Sequence, residues 1–136
     1  MAGYSKTPLA QKLGIKPGFR ACFLNAPPNY EKLLGALPAL EILPKPKPPM
    51  DFIQVFFKDR ASFEKQLPLL KKTLAPAGMI WVCWLKVASK IPTDLTESHV
   101  RGFGLKCGLV DVKVCAVDEV WSGLKFVIPV KNRERT

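Results

Sequence analysis

The sequence predicts a three-layer α/β domain, with helices on both faces of one mostly parallel sheet and an antiparallel strand at the C-terminal end. Three observations predict it. Short apolar runs alternate with segments whose apolar residues recur at helical spacing, the pattern of a parallel sheet covered on both sides. The runs 19–24, 51–57 and 79–85 are apolar almost throughout, as strands buried on both faces are. The last two apolar segments, 109–117 and 124–130, follow one another across a turn with no helix between them, so they pair as antiparallel neighbours at a sheet edge.

Taken in order, Thr7-Pro8 opens a short helix, the hydroxyl capping it and proline taking the first helical position. Leu9 and Leu13 share one face, Gly14 ends the helix and Lys16-Pro17-Gly18 turns the chain, so residues 1–18 form an N-terminal helix and turn. The first strand, Phe19 to Leu24, stops at Asn25-Ala26-Pro27-Pro28-Asn29. A short helix from Tyr30 to Leu34 closes at Gly35, and Leu40 to Leu43 is a weak second strand. Residues 44–49, Pro-Lys-Pro-Lys-Pro-Pro, suit neither helix nor central strand, because proline lacks the donor and fixes φ. They read as a semi-rigid connector, a crossover loop in the plainer view and a proline recognition segment in the other. Asp51 to Phe57 is a buried strand. Asp59 caps a helix predicted over 60–74, with Phe63, Leu67, Leu70 and Leu74 as its buried stripe and Pro68 inside it. Ala75-Pro76-Ala77-Gly78 reads as a sharp turn into the central strand Met79–Leu85. Beyond a polar loop, Thr96 caps a helix to about Cys107, Glu97 sits near its positive end, and Gly108 stops it. Asp118 to Gly123 turns the final hairpin.

The 136 residues suit a single domain, and a hydrophobic content of 48% supplies its core. No apolar run reaches the roughly 18 residues of a membrane span, and the polar, helix-like start from Met1 to Lys12 lacks a secretory core, so the expected address is cytoplasmic. The four cysteines, Cys22, Cys83, Cys107 and Cys115, form no C-x-x-C pair and have one histidine for company, which argues against a metal site and for free thiols in a reducing compartment. The formal charge of +10 favours anionic partners. Its densest groups are Lys71–Lys72, Lys45 with Lys47, and the tail Lys131, Arg133, Arg135; the rest is scattered and reads as a solvated basic surface.

Three segments resemble class I S-adenosylmethionine-dependent methyltransferases. Asp51-Phe52-Ile53-Gln54-Val55 resembles their fourth-strand segment, Leu74-Ala75-Pro76-Ala77-Gly78 their turn into the fifth strand, and 96–130 their closing helix and hairpin. The resemblance implies a Rossmann-like, methyltransferase-type sheet. The chain is also similar to a small bacterial protein family with no assigned activity, through Thr7-Pro8-Leu9-Ala10, Leu24-Asn25-Ala26-Pro27, Pro92-Thr93-Asp94-Leu95 and the stretch from Asp118 to Phe126. Where the methyltransferases carry Gly-x-Gly after the first strand, this chain has Asn25-Ala26-Pro27-Pro28-Asn29. Proline offers no N–H and cannot take positive φ, so the backbone cannot approach a cofactor as glycine allows. Leu43, Pro44 and Lys45 stand where the resemblance puts a ribose-binding acid. Only the proline connector separates the second strand from Met50, so the third strand of that family, and with it the adenine wall, is missing. The expectation is a truncated scaffold with no cofactor.

In an open α/β sheet the ligand crevice lies beyond the carboxyl ends of the strands. The candidate ligand residues are therefore Asn25, Asn29 and Tyr30 after the first strand, and Lys86, Ser89 and Lys90 after Leu85, with Trp121 at the hairpin. An amide, an ammonium and a hydroxyl from Asn25, Lys86 and Ser89 suit an anion; the plainer alternative has Asn25 capping a turn and Lys86 in solvent. Trp84 with Trp121 makes an aromatic wall or fills the core. Asp118 and Glu119 serve acid–base work or solvate a turn. His99, with no nucleophile paired to it by motif, reads as structural. No phosphate-binding loop, His-Glu-x-x-His or Gly-x-Ser-x-Gly occurs. The expected function is a non-catalytic binding domain for a small anionic ligand or a protein partner. One alternative is a degenerate methyltransferase completed by a partner subunit. Another is a nucleic-acid-binding protein, prompted by the charge. No membrane partner is expected, and a homodimer would cover the edge that the missing strand exposes.

Overall fold

The computed structural model describes residues 8–133, which run α1 (Leu9–Leu13), β1 (Arg20–Leu24), α2 (Tyr30–Leu34), β2 (Glu41–Ile42), β3 (Met50–Phe57), α3 (Arg60–Lys71), β4 (Leu74–Leu85), α4 (Glu97–Lys106), β5 (Val110–Ala116) and β6 (Trp121–Val127). Short 3-10 turns follow β4 and β6 at Val87–Ser89 and Val130–Asn132. The six strands form one sheet in the order β2-β1-β3-β4-β6-β5. β2, β1, β3 and β4 are mutually parallel, and β6 runs antiparallel to both β4 and β5. This is the mostly parallel, methyltransferase-type sheet expected from the sequence, and among the described residues no strand lies outside β2.

Side chains along β3 alternate between two apolar layers, which is why the run is apolar almost throughout. Ile53, Val55 and Phe57 join Phe63 and Leu67 of α3, Val100 of α4 and Phe126 of β6 on one face. Phe52 and Phe56 join Leu9 and Leu13 of α1, Tyr30 and Leu34 of α2 and Trp81 of β4 on the other. The Phe63 ring meets Phe57 and Phe103 edge-on at 5.5 and 5.3 Å, a geometry that adds to simple burial. α4 reaches the sheet closely only because Gly104 has no side chain: a Cβ there would overlap the Phe126 ring. The expected caps are present. Asp59 accepts from the Ser62 N–H at 2.8 Å and Thr96 from the His99 N–H at 3.2 Å. Gly108 has φ +84°, which stops α4 as glycine does.

The structure corrects the predicted elements in four places. Pro8 is the N-cap of α1 rather than its first helical residue, and its carbonyl accepts from the Lys12 N–H; Thr7 lies outside the described residues, as do Met1 to Lys6 and Arg135. α3 ends at Lys71, not at 74: Thr73 turns its hydroxyl back to the Leu70 carbonyl and gives its own carbonyl to the Met50 N–H, so Leu74 already belongs to β4. Residues 75–78 are accordingly an irregular start of β4 rather than a sharp turn, with the register slipping between the Met50–Leu74 and Phe52–Met79 pairs. Gly78 is needed there because any side chain would run into the Met50 carbonyl oxygen. The hairpin turn is shorter than predicted. Trp121, Ser122 and Gly123 are already in β6, which ends at Val127 instead of 130.

Residues 44–49 pass from β2 to β3 without a helix, and Arg20 at the start of β1 holds them. Its guanidinium donates to the Pro49 carbonyl at 2.8 Å and the Lys47 carbonyl at 3.1 Å, and pairs with Glu41 at 2.9 Å.

Candidate functional site

The chain leaves β1 toward β2 on one side and returns to β3 on the other, so the sheet's topological switch point lies between the carboxyl ends of β1 and β3. Ligands of open α/β sheets bind at such points. Here Asn25 closes it. Its backbone is left-handed, φ +58°, and its Nδ2 donates to the Phe56 carbonyl at 3.3 Å, joining the two strand ends directly. The segment then runs through Pro27 and Pro28 to Asn29, also left-handed at φ +63°, which is the N-cap of α2 without using its side chain to cap. Asparagine tolerates this conformation better than most residues, which accounts for its appearance on both sides of the prolines.

Tyr30 points inward rather than into the crevice. It is buried, and its hydroxyl donates to Gln54 Oε1 at 2.6 Å; Gln54 Nε2 in turn donates to Cys83 Sγ at 3.4 Å. Burial, and after it the neighbouring Cys83, pushes the Tyr30 phenol far above its ordinary value, and burial does the same to the Cys83 thiol. Neither group supplies an anion near neutral pH, so this chain of three is a structural relay between β1's loop, β3 and β4. Gln54 was not singled out by the sequence reading. The one signal for it is a lone amide in the otherwise apolar run from Phe52 to Phe57.

At the carboxyl end of β4, the Lys86 N–H donates to the Val120 carbonyl at 2.8 Å, and Leu85 pairs with Trp121. The hairpin turn therefore lies beside the crevice, a point hairpin register alone decides. Asp118 is occupied in that turn, its Oδ1 accepting from the N–H groups of Val120 and Trp121 at 2.8 and 2.7 Å. Ser89 donates its hydroxyl to the Lys86 carbonyl at 2.6 Å and accepts from the Ile91 N–H, so it serves its own loop. Lys90 is left-handed, at φ +61°. Asn25, Lys86 and the turn at Asp118 thus share the carboxyl edge of the sheet, while Tyr30 and Trp121 belong to the core behind it.

The aromatic wall does not form. Trp84 packs into the layer under α3 and α4, whereas Trp121 packs into the opposite layer, with Phe56 edge-on at 5.0 Å. His99 pairs with Glu64 at 2.6 Å and stacks on Phe103, tying α4 to α3 at a shallow surface hollow. A larger depression of about 440 Å³ lies at the opposite, amino end of β4, lined by Lys71, Lys72, Pro76 and Asn132 among others; Lys71 is committed there to the Cys107 carbonyl at 2.7 Å, capping α4. Among the described residues no three metal-ligating side chains converge, and no helix is long and apolar enough to cross a membrane.

Solved structures with this arrangement include methyltransferases. A SAM-dependent methyltransferase from Aquifex aeolicus superposes with a TM-score of 0.58 over 87% of this chain and 86% of its own, at 14% identity. The fold is that of the class I methyltransferases. A ribosomal protein L11 methylase from Lactobacillus delbrueckii subsp. bulgaricus gives 0.55 over 88% of this chain and 74% of its own, at 8% identity. The Methanococcus jannaschii fibrillarin pre-rRNA processing protein gives 0.53 over 93% and 70%, at 10% identity. No family model and no curated protein matches the sequence.

Proposed function

We propose that the protein is a non-catalytic binding domain on a reduced methyltransferase-like scaffold. The observation that carries this reading is the switch point itself. Asn25 joins β1 to β3 there, and two prolines follow where a cofactor-binding backbone needs glycine and free N–H groups. The polar side chains that surround it support the reading, since Ser89, Asp118 and Tyr30 are each spent on hydrogen bonds within the fold. Lys86 is a cation at this edge, and with the overall charge of +10 it points to anionic partners.

Titration with S-adenosylmethionine and S-adenosylhomocysteine in a thermal-shift assay tests the reading. A ligand held at 100 times its dissociation constant adds about 2.7 kcal/mol, worth several degrees in a domain of this size. The expected result is no shift with either compound. A rise of several degrees that Asn25→Ala or Lys86→Ala abolishes would overturn the proposal and restore a methyltransferase.

A further inference from the structure

α1 and α2 lie on one face of the sheet, packed with Trp81 of β4 and with Val117 and Trp121 of the hairpin. Trp81 on β4 donates its indole N–H to the Leu13 carbonyl at 2.8 Å, so the end of α1 sits over β4. The next residue across the sheet from Trp81 is Lys125 on β6, and the next after that is Lys113 on β5. Directly paired residues share a face, so both lysines stand on the face of the sheet that carries α1. The Lys125 ammonium lies 4.0 Å from where a side chain on Gly14 would begin. Lys16 leaves the same turn, and its charge and that of Lys113 act on Lys125, whose own burial is the larger influence holding it below the ordinary lysine value. Burial raises the Cys115 thiol, two residues along β5 from Lys113, and the charges of Lys12 on α1 and of Lys113 partly offset it. Four lysines from α1, its exit turn, β5 and β6 thus share one surface. None of them forms an ion pair among the described residues. Like charges placed opposite each other on paired strands destabilise the pair, and this surface keeps Lys113 opposite Lys125.

We infer that the face bearing Lys12, Lys16, Lys113 and Lys125 is a docking surface for the phosphate backbone of double-stranded nucleic acid. The chemistry selects the backbone over the bases. Lysine is a point charge suited to phosphate, whereas base readout favours planar forks. The large apolar side chains exposed among the described residues are all aliphatic, so no ring stands ready to stack on an unpaired base. The inference deepens the binding-domain reading and rests on it for the nature of the partner.

The test is fluorescence anisotropy with a labelled 20-base-pair DNA duplex of arbitrary sequence, without methyl donor, from 20 to 200 mM salt. Four phosphate contacts predict a log–log salt slope of about −3.6, at 0.9 per contact. Changing Lys12, Lys16, Lys113 and Lys125 to Gln is expected to weaken binding at least tenfold at the lowest salt and to flatten the slope. Removing Lys45, Lys47, Lys58 and Lys65 in the same way changes the net charge equally and is expected to cost less than about threefold. The pairs K113Q/K125Q and K12Q/K16Q, each checked for a cooperative melt, give the same answer should the quadruple variant fail to fold. Absence of wild-type binding at 20 mM salt overturns the inference. So does an equal loss in the control variant, or tighter capture of poly-glutamate than of the duplex, which would assign the face to an acidic protein. These outcomes leave the methyl-donor titration untouched, so the two proposals fail separately.

Discussion

Tyr30→Phe separates a structural tyrosine from a ligand-binding one. The ring packs between Phe23 and Phe56, with centroids at 6.3 and 5.1 Å, and phenylalanine keeps those contacts. What is lost is the 2.6 Å hydrogen bond to Gln54, whose side chain is wholly buried. Gln54 Oε1 is then left without its donor in an apolar layer, and an orphaned buried acceptor costs about 1–3 kcal/mol. Gln54→Met orphans the tyrosine hydroxyl instead and should cost a similar amount. The double variant removes both partners, leaving Cys83 Sγ, a weak acceptor, as the one atom deprived. Replacing both ends of a buried bond by apolar groups is close to neutral. The expected double-mutant coupling is therefore at least about 1 kcal/mol. Urea melts with unchanged slope measure it, and each kilocalorie moves the thermal midpoint by about 2–8 °C. A Tyr30→Phe cost below about 0.5 kcal/mol, or a double variant as costly as the two singles added, would refute the relay.

Alkaline stability follows from the same three residues. The unfolded chain gives up its Cys83 and Tyr30 protons near the ordinary values of 9.0 and 10.0, while the folded chain holds both to higher pH. The folded state therefore binds more protons as pH rises past 9, and stability present below that point is lost above it, by up to about 1.4 kcal/mol per pH unit for each group. Urea midpoints between pH 7.5 and 10.5 should fall less steeply for Cys83→Ala than for wild type; parallel lines would contradict the assignment. At the other face, Gly104→Ala places a methyl group in the Phe126 ring. Overpacking costs about 1–3 kcal/mol, against a helix-propensity gain of up to about 1 kcal/mol. A lowered melting midpoint that Phe126→Leu partly restores is expected; a raised midpoint for Gly104→Ala alone would show that α4 can move away from the sheet.

The sheet was legible because β1, β3 and β4 are written as almost wholly apolar runs, and α4 because Thr96 and Gly108 mark its ends. The errors share a cause. Leu74 continues the helical spacing of Phe63, Leu67 and Leu70, and only the long-range bond between Met50 and Thr73 takes it into a strand. Likewise Trp84 and Trp121 look like neighbours until register is known, and register depends on a turn that proved three residues shorter than its composition suggested. For the candidate residues, a position near the strand ends was readable, but not the use of each side chain. Asn25, Ser89 and Asp118 are the residue types that bind ligands and equally the types that bond to nearby backbone. Sequence offers no way to choose between those uses, since the deciding partner of Asn25 lies at Phe56.

The same limit hid the basic face. Lys12 and Lys125 are as far apart in the chain as two lysines in its core elements can be, and charge counting reads them as unrelated. They meet because α1 ends over Trp81, whose neighbour across the sheet is Lys125. The switch point spends its polar groups within the fold, where ligands of open α/β sheets usually sit, while the lysines gather on a different face of the sheet. This is why duplex binding and methyl-donor titration, measured side by side on one preparation, divide the readings that the fold alone leaves together.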